Sequence, residues 1–117
     1  MSCHWGNEYD TEPDAFQKKY AKLFADLGVD LVIGTHPHII QPVTWVNGQS
    51  GNKTLIAYSL GNFLSTMETQ DTQLEGMLSL NFIKKDAKIF IDDITWTPLI
   101  NHFGDNTVEV ILLQISR

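Results

Sequence analysis

Cysteine is nearly absent: Cys3 is the only one in 117 residues. No internal disulfide can form, and a zinc site built on several thiolates is excluded. One thiol says nothing about redox compartment. Apolar runs are short too, and none approaches the ~20 residues that span a bilayer. No basic stretch followed by an apolar one opens the sequence, so no secretory leader is expected. Basic residues are scarce, with 8 Lys and Arg against 14 Asp and Glu, for a formal charge of −6. Nucleic acid is therefore not an expected partner, because a binder needs a basic face to displace phosphate counterions. Internal repeats and long Pro/Gly/Ser linkers are also missing. What remains is 43% hydrophobic and 19% charged, a balance that suits one folded domain over 1–117 and argues against disorder.

One helix is expected over 13–27. Phe16, Tyr20, Leu23, Phe24 and Leu27 recur at spacings of three and four and define its apolar face. Thr11 is the expected N-cap with Asp14 as its partner, Pro13 falls in the first turn, and Gly28 stops the helix. The apolar run 29–33 reads as a buried strand, parallel to a short strand at 1–4, giving a β-α-β unit. Strands are expected at 39–46, where Pro42 marks an edge or bend, and at 54–60, joined by the turn-rich segment 47–52. A second hairpin is expected from 76–83 and 88–96. Residues 65–75 read as a polar loop and 108–115 as a last strand. The expected fold class is mixed α/β of the α+β kind.

Three of the four histidines fall in two motifs, His4 in HWGNEY (4–9) and His36 and His38 in GTHPH (34–38). Both motifs follow expected strands, at the edge where α/β folds place their sites. If those strands are parallel neighbours, the three imidazoles share that edge. Imidazole is the commonest metal ligand at neutral pH. Pro37 stiffens the loop between two rings, and Gly34 permits close backbone approach. A bare His-x-His also serves as an ordinary surface or hydrogen-bonding pair.

The combination HWGNEY (4–9), GVDLVIGTHPH (28–38), QPV (41–43) and IAYSLGNF (56–63) resembles the bacterial poly-γ-glutamate capsule synthesis family of CapA/PgsA type. Those proteins are similar in fold to the calcineurin-like metallophosphoesterases, a β-sandwich flanked by helices. The resemblance implies that His4, His36 and His38 are metal ligands, for Mn²⁺, Fe or Zn²⁺. It implies metal-assisted attack on a phosphoryl or acyl-phosphate group, with an anionic polymer or phosphorylated substrate and other capsule synthesis proteins as partners. Thr35 makes the element Gly-x-His-x-His instead of Gly-His-x-His. The pattern's Asp-x-His, bridging Gly-Asp and Asn-His elements are not found ahead of His4, and Asp10, Asp26 and Asp30 do not stand in for them. The sequence therefore reads as the C-terminal half of such a domain, with the motifs in 4–63 and strands over 76–117. Alone, it is expected to lack turnover. The full-length family is often membrane-anchored and extracytoplasmic.

The remaining candidates have alternative readings. Glu8 is either a catalytic acid/base, or a partner orienting an imidazole, or a solvated or capping residue. Asn62 binds substrate or bridges a turn, and Tyr58 and Ser59 share that ambiguity. Trp5 reads as a packing residue or a ligand contact, Trp45 and Trp96 as core or sheet-face residues, and His102 as an exposed loop residue. A non-catalytic polymer-binding or assembly module is the alternative function. A homodimer through exposed strand edges is the alternative for a fragment that needs its other half.

Overall fold

The computed structural model describes residues 1–114. The first sheet contains β1 (Ser2–His4), β2 (Leu31–Thr35), β3 (Ile40–Asn47) and β4 (Lys53–Leu60), in the order β1-β2-β4-β3. β1, β2 and β4 are parallel, and β3 runs antiparallel at the edge, which is where Pro42 is tolerated. The second sheet is an antiparallel meander of β5 (Leu74–Lys85), β6 (Lys88–Gly104) and β7 (Thr107–Leu112). Helix α1 (Ala15–Asp26) joins β1 to β2, and the single turn α2 (Gln70–Gln73) leads into β5. The fold is mixed α/β with two sheets and few helices. The last strand ends at Leu112, and Ile115, expected within it, lies outside the described residues.

Helix α1 starts later than expected, and its cap is Asp14, not Thr11. The Asp14 carboxylate accepts from the Gln17 N–H at 2.7 Å, and the Gln17 side-chain carbonyl accepts from the Asp14 N–H at 2.9 Å. A carboxylate and an amide three residues apart thus form a reciprocal capping box, which leaves Pro13 outside the helix. The C-terminus behaves as expected. Gly28 adopts φ +80°, and the N–H groups of Gly28 and Val29 reach back to Ala25 and Phe24, a Schellman arrangement.

The buried face of α1 also differs from the apolar spacing. Gln17, Ala21 and Ala25 are fully buried, with Tyr20 and Phe24 partly buried, while Phe16, Leu23 and Leu27 face solvent. Alanine brings the helix axis close to the sheet, and the larger side chains flank that contact line. The core beneath comprises Trp5, Ala21, Val32, Ile56 and Tyr58. Six consecutive residues of β4, from Thr54 to Ser59, are buried, as expected of a central strand covered on both faces.

The two sheets meet where Gly61 bridges to Glu75. Residues 65–75 are not simply a polar loop, because they contain α2 and the first residues of β5. Glu75 is 1% exposed, neither of its carboxylate oxygens has a partner, and burial pushes its pKa up to about 7. Asn101, on the same face one diagonal away, has an unpartnered amide nitrogen. Beyond this seam the β5–β6 hairpin runs outward to a turn at Asp86 and Ala87, both at positive φ. β6 runs eight residues further than the expected 96 and so takes in His102, which is exposed on a strand rather than in a loop. Trp96 lies across Gly76, where an added Cβ would sit 1.9 Å from its ring.

Candidate metal centre

The C-terminal ends of the three parallel strands converge on one edge. His4 ends β1, Thr35 ends β2 ahead of His36-Pro37-His38, and Leu60 ends β4 ahead of Gly61-Asn62. Gly34 lets this edge close. The Trp5 indole N–H donates to the Tyr58 carbonyl at 2.9 Å directly over Gly34, and a Cβ there would sit 2.0 Å from that carbonyl. Trp5, Tyr58 and Ser59 are buried beneath this edge, each at most 5% exposed.

Three non-glycine residues of this edge are held at positive φ: Tyr9 at 69°, His36 at 105° and His38 at 64°. Such backbone costs on the order of 1–3 kcal/mol per residue and persists only where the surroundings over-determine it. The buried Pro37 is part of that support, since its carbonyl accepts from the Tyr9 N–H at 2.8 Å.

The strained loop brings donors together. Ligand atoms of Glu8, His36 and His38 all lie within 4.8 Å of one another, the one such group of three among the described residues. His4 is outside that group and packs ring to ring on His36, with centroids 4.4 Å apart. The expected set of three histidines is thus gathered on one edge, with Glu8 in the tightest cluster and His4 beside it.

The segment carrying Glu8 is pinned by a buried amide chain. The Gln17 side-chain amide donates to the Gln41 side-chain carbonyl at 2.7 Å, and the Gln41 amide donates to the carbonyls of Asp10 at 2.9 Å and Glu12 at 3.3 Å. Gly6, at φ +82°, lies against Gln17 with no room for a Cβ. No hydrophobic pattern announces this network, although the Asp-x-x-Gln spacing of its first member is present in the sequence.

Asn62 is engaged rather than free. Its Oδ1 lies 2.9 Å from His38 Nδ1, and its amide donates to the carbonyls of His38 and Thr72 and to Met67 Sδ. An acceptor at Nδ1 fixes the proton there and leaves Nε2 as the free lone pair. Tyr9, whose ring stacks on His38 at 6.0 Å, carries no signal that sequence reasoning would have caught.

Two imidazoles and one carboxylate, at the C-terminal edge of a largely parallel sheet, define a donor set suited to a divalent transition metal. Residues 1–67 match the family model "Bacterial capsule synthesis protein PGA_cap", and the chain belongs to that family. It is 44% identical over 64 residues to the PGA biosynthesis protein CapA of Bacillus subtilis (strain 168), covering 55% of this chain and 16% of that protein. It is 39% identical over 64 residues to the capsule biosynthesis protein CapA of Bacillus anthracis, covering 55% of this chain and 14% of that protein. The matched region is thus well under two thirds of either relative's length. No solved structure matches the chain.

Proposed function

We propose that this chain serves poly-γ-glutamate-type capsule biosynthesis through a divalent cation held by Glu8, His36 and His38, with His4 as a neighbouring donor. The observation that carries the reading is a pair of histidines held at positive φ with a carboxylate among their ligand atoms. Ligands of one ion at ~2.0–2.2 Å lie closer together than the present limit of 4.8 Å. The exposed Glu8 has the freedom to close that gap. Imidazole and carboxylate suit Mn²⁺, Fe and Zn²⁺.

A bound cation supplies Lewis-acid polarisation of a phosphoryl or acyl-phosphate oxygen. The chain's own residues supply the rest. Asn62 holds the His38 ring so that Nε2 is the ligating nitrogen. With a formal charge of −6, the chain draws in an anionic polymer or phosphorylated substrate only through such a local positive centre.

The second reading is a non-catalytic assembly module. The solvent-facing Phe16 and Leu23 on α1 and Leu27 at its C-cap favour it, as an apolar stripe available to other capsule synthesis proteins.

Calorimetric titration with Mn²⁺ and Zn²⁺ separates the two. Micromolar binding that His36→Ala/His38→Ala abolishes and Glu8→Gln weakens supports the metal reading. No binding by a folded wild-type chain moves the assembly module ahead. Phosphodiester turnover is expected to be absent from this chain alone, and robust Mn²⁺-dependent turnover lost in His38→Ala would overturn that expectation.

A further inference from the structure

We infer that the cleft on the far side of the His38–Asn62 pair binds an alkylammonium group. The cleft has a volume of about 420 Å³, within the usual range of small-ligand sites. It shares walls with the metal cluster but not its donors. Tyr9, which lines it, stacks on His38. Thr72 and Met67, which also line it, accept from the Asn62 amide. Ile39, 3% exposed, and Thr72, 2% exposed, anchor the walls in the body of the fold.

The chemistry of the lining selects the ligand. Tyr9, Ile39 and Met67 present apolar surface that suits a methylene chain. Glu68 and Asp71 are the charged residues of the lining, and neither Lys nor Arg is among them. An anion entering this recess meets two carboxylates with no compensating cation. An ammonium is matched by the charge of both acidic residues, and the aromatic wall formed by Tyr9 is a surface that attracts cations. Two exposed carboxylates on an open surface would be an ordinary solvated pair. Here they border a recess whose aromatic wall is held at a φ of 69° by its hydrogen bond to Pro37.

This selectivity is opposite to that of the cluster next door, where a bound cation attracts anions. A ligand with an amine at one end and an acidic group at the other would span both. The amine site itself does not depend on the metal reading, so it is tested without metal.

The experiment is a two-dimensional amide NMR titration of the full chain in excess chelator at neutral pH. The probes are n-butylamine and, as a control of equal length, butyrate. Saturable shifts at Tyr9 and 67–72 are expected with n-butylamine and not with butyrate. Glu68→Gln/Asp71→Asn is expected to weaken amine binding about tenfold or more, because it removes both negative charges of the lining. The spectrum of that variant reports directly that it is folded. Because chelator is present throughout, amine binding is read with no metal in the neighbouring cluster, which separates this site from the metal reading. Equal shifts with butyrate, undiminished amine binding in the neutralised variant, or no saturable shift in the cleft would each overturn the proposal.

Discussion

The side-chain oxygen of Asn62 sits 2.9 Å from Nδ1 of His38, although 24 residues separate them. The contact exists because β4 runs parallel to β2, so that the turn after one strand lies beside the loop after the other. Asn62 is thereby the residue that decides which nitrogen of His38 faces the donor cluster.

Asn62→Ala is expected to lower Mn²⁺ or Zn²⁺ affinity by about 10–100-fold, the usual cost of losing an orienting partner to a ligating histidine. Calorimetry gives the affinity, and ¹⁵N shifts of the imidazole report the tautomer directly. A fall in affinity with no change of tautomer would argue for a merely structural role.

Gln17→Leu is expected to destabilise the chain by about 1–3 kcal/mol, because it strands the buried Gln41 carbonyl. Gln17→Leu/Gln41→Leu is expected to cost less than the sum of the single changes, as coupled partners do. Urea unfolding of the four proteins gives the coupling.

Glu75 sets a pH dependence. Its folded pKa is raised to about 7 from an ordinary value of 4.5, so between those values the folded state binds a proton that the unfolded state has lost. Stability is therefore highest below about pH 4.5, falls as pH rises toward 7, and levels off above it, by roughly 3 kcal/mol in all from this group. Unfolding curves at several pH values are expected to show this slope in the wild type and to lose it in Glu75→Gln.

Gly34→Ala has no room for its methyl group, which would meet the Tyr58 carbonyl and the Trp5 indole. A loss of at least 1–3 kcal/mol is expected, in the range of overpacked cores. Thermal unfolding measures it, and metal affinity is expected to fall in parallel because β2 and the His36 loop shift together.

Much of the scaffold was legible because it is local. The Gly28 stop, the hairpin turn at 47–52 and the position of Pro42 each follow from the conformational limits of a few residues. The gathering of three histidines was legible because parallel strands share a C-terminal edge. The burial of α1 was not, because spacing identifies large apolar residues without saying which of them the sheet accepts. Alanine won that contact on closeness, and Gln17 was admitted through a partner on β3 that the helix sequence cannot indicate. The place of Glu8 in the cluster depends on the path of the loop after β1, which is set by Gln41, 33 residues further on. Glu75 sits in a seam between two sheets, and nothing in a polar stretch of sequence marks which residue such a seam will bury.

Because the donors leave from hydrogen-bonded strand ends, the cluster acts as a gauge of sheet register. Removing one residue from 31–33 would pull His36 back by about 3.3 Å and turn its neighbours to the opposite face. Inserting one residue at 47–52 lengthens the far end of the β3–β4 hairpin and leaves the donor edge where it is. Length variation in this chain is thus expected to be tolerated at one end of the first sheet and refused at the other.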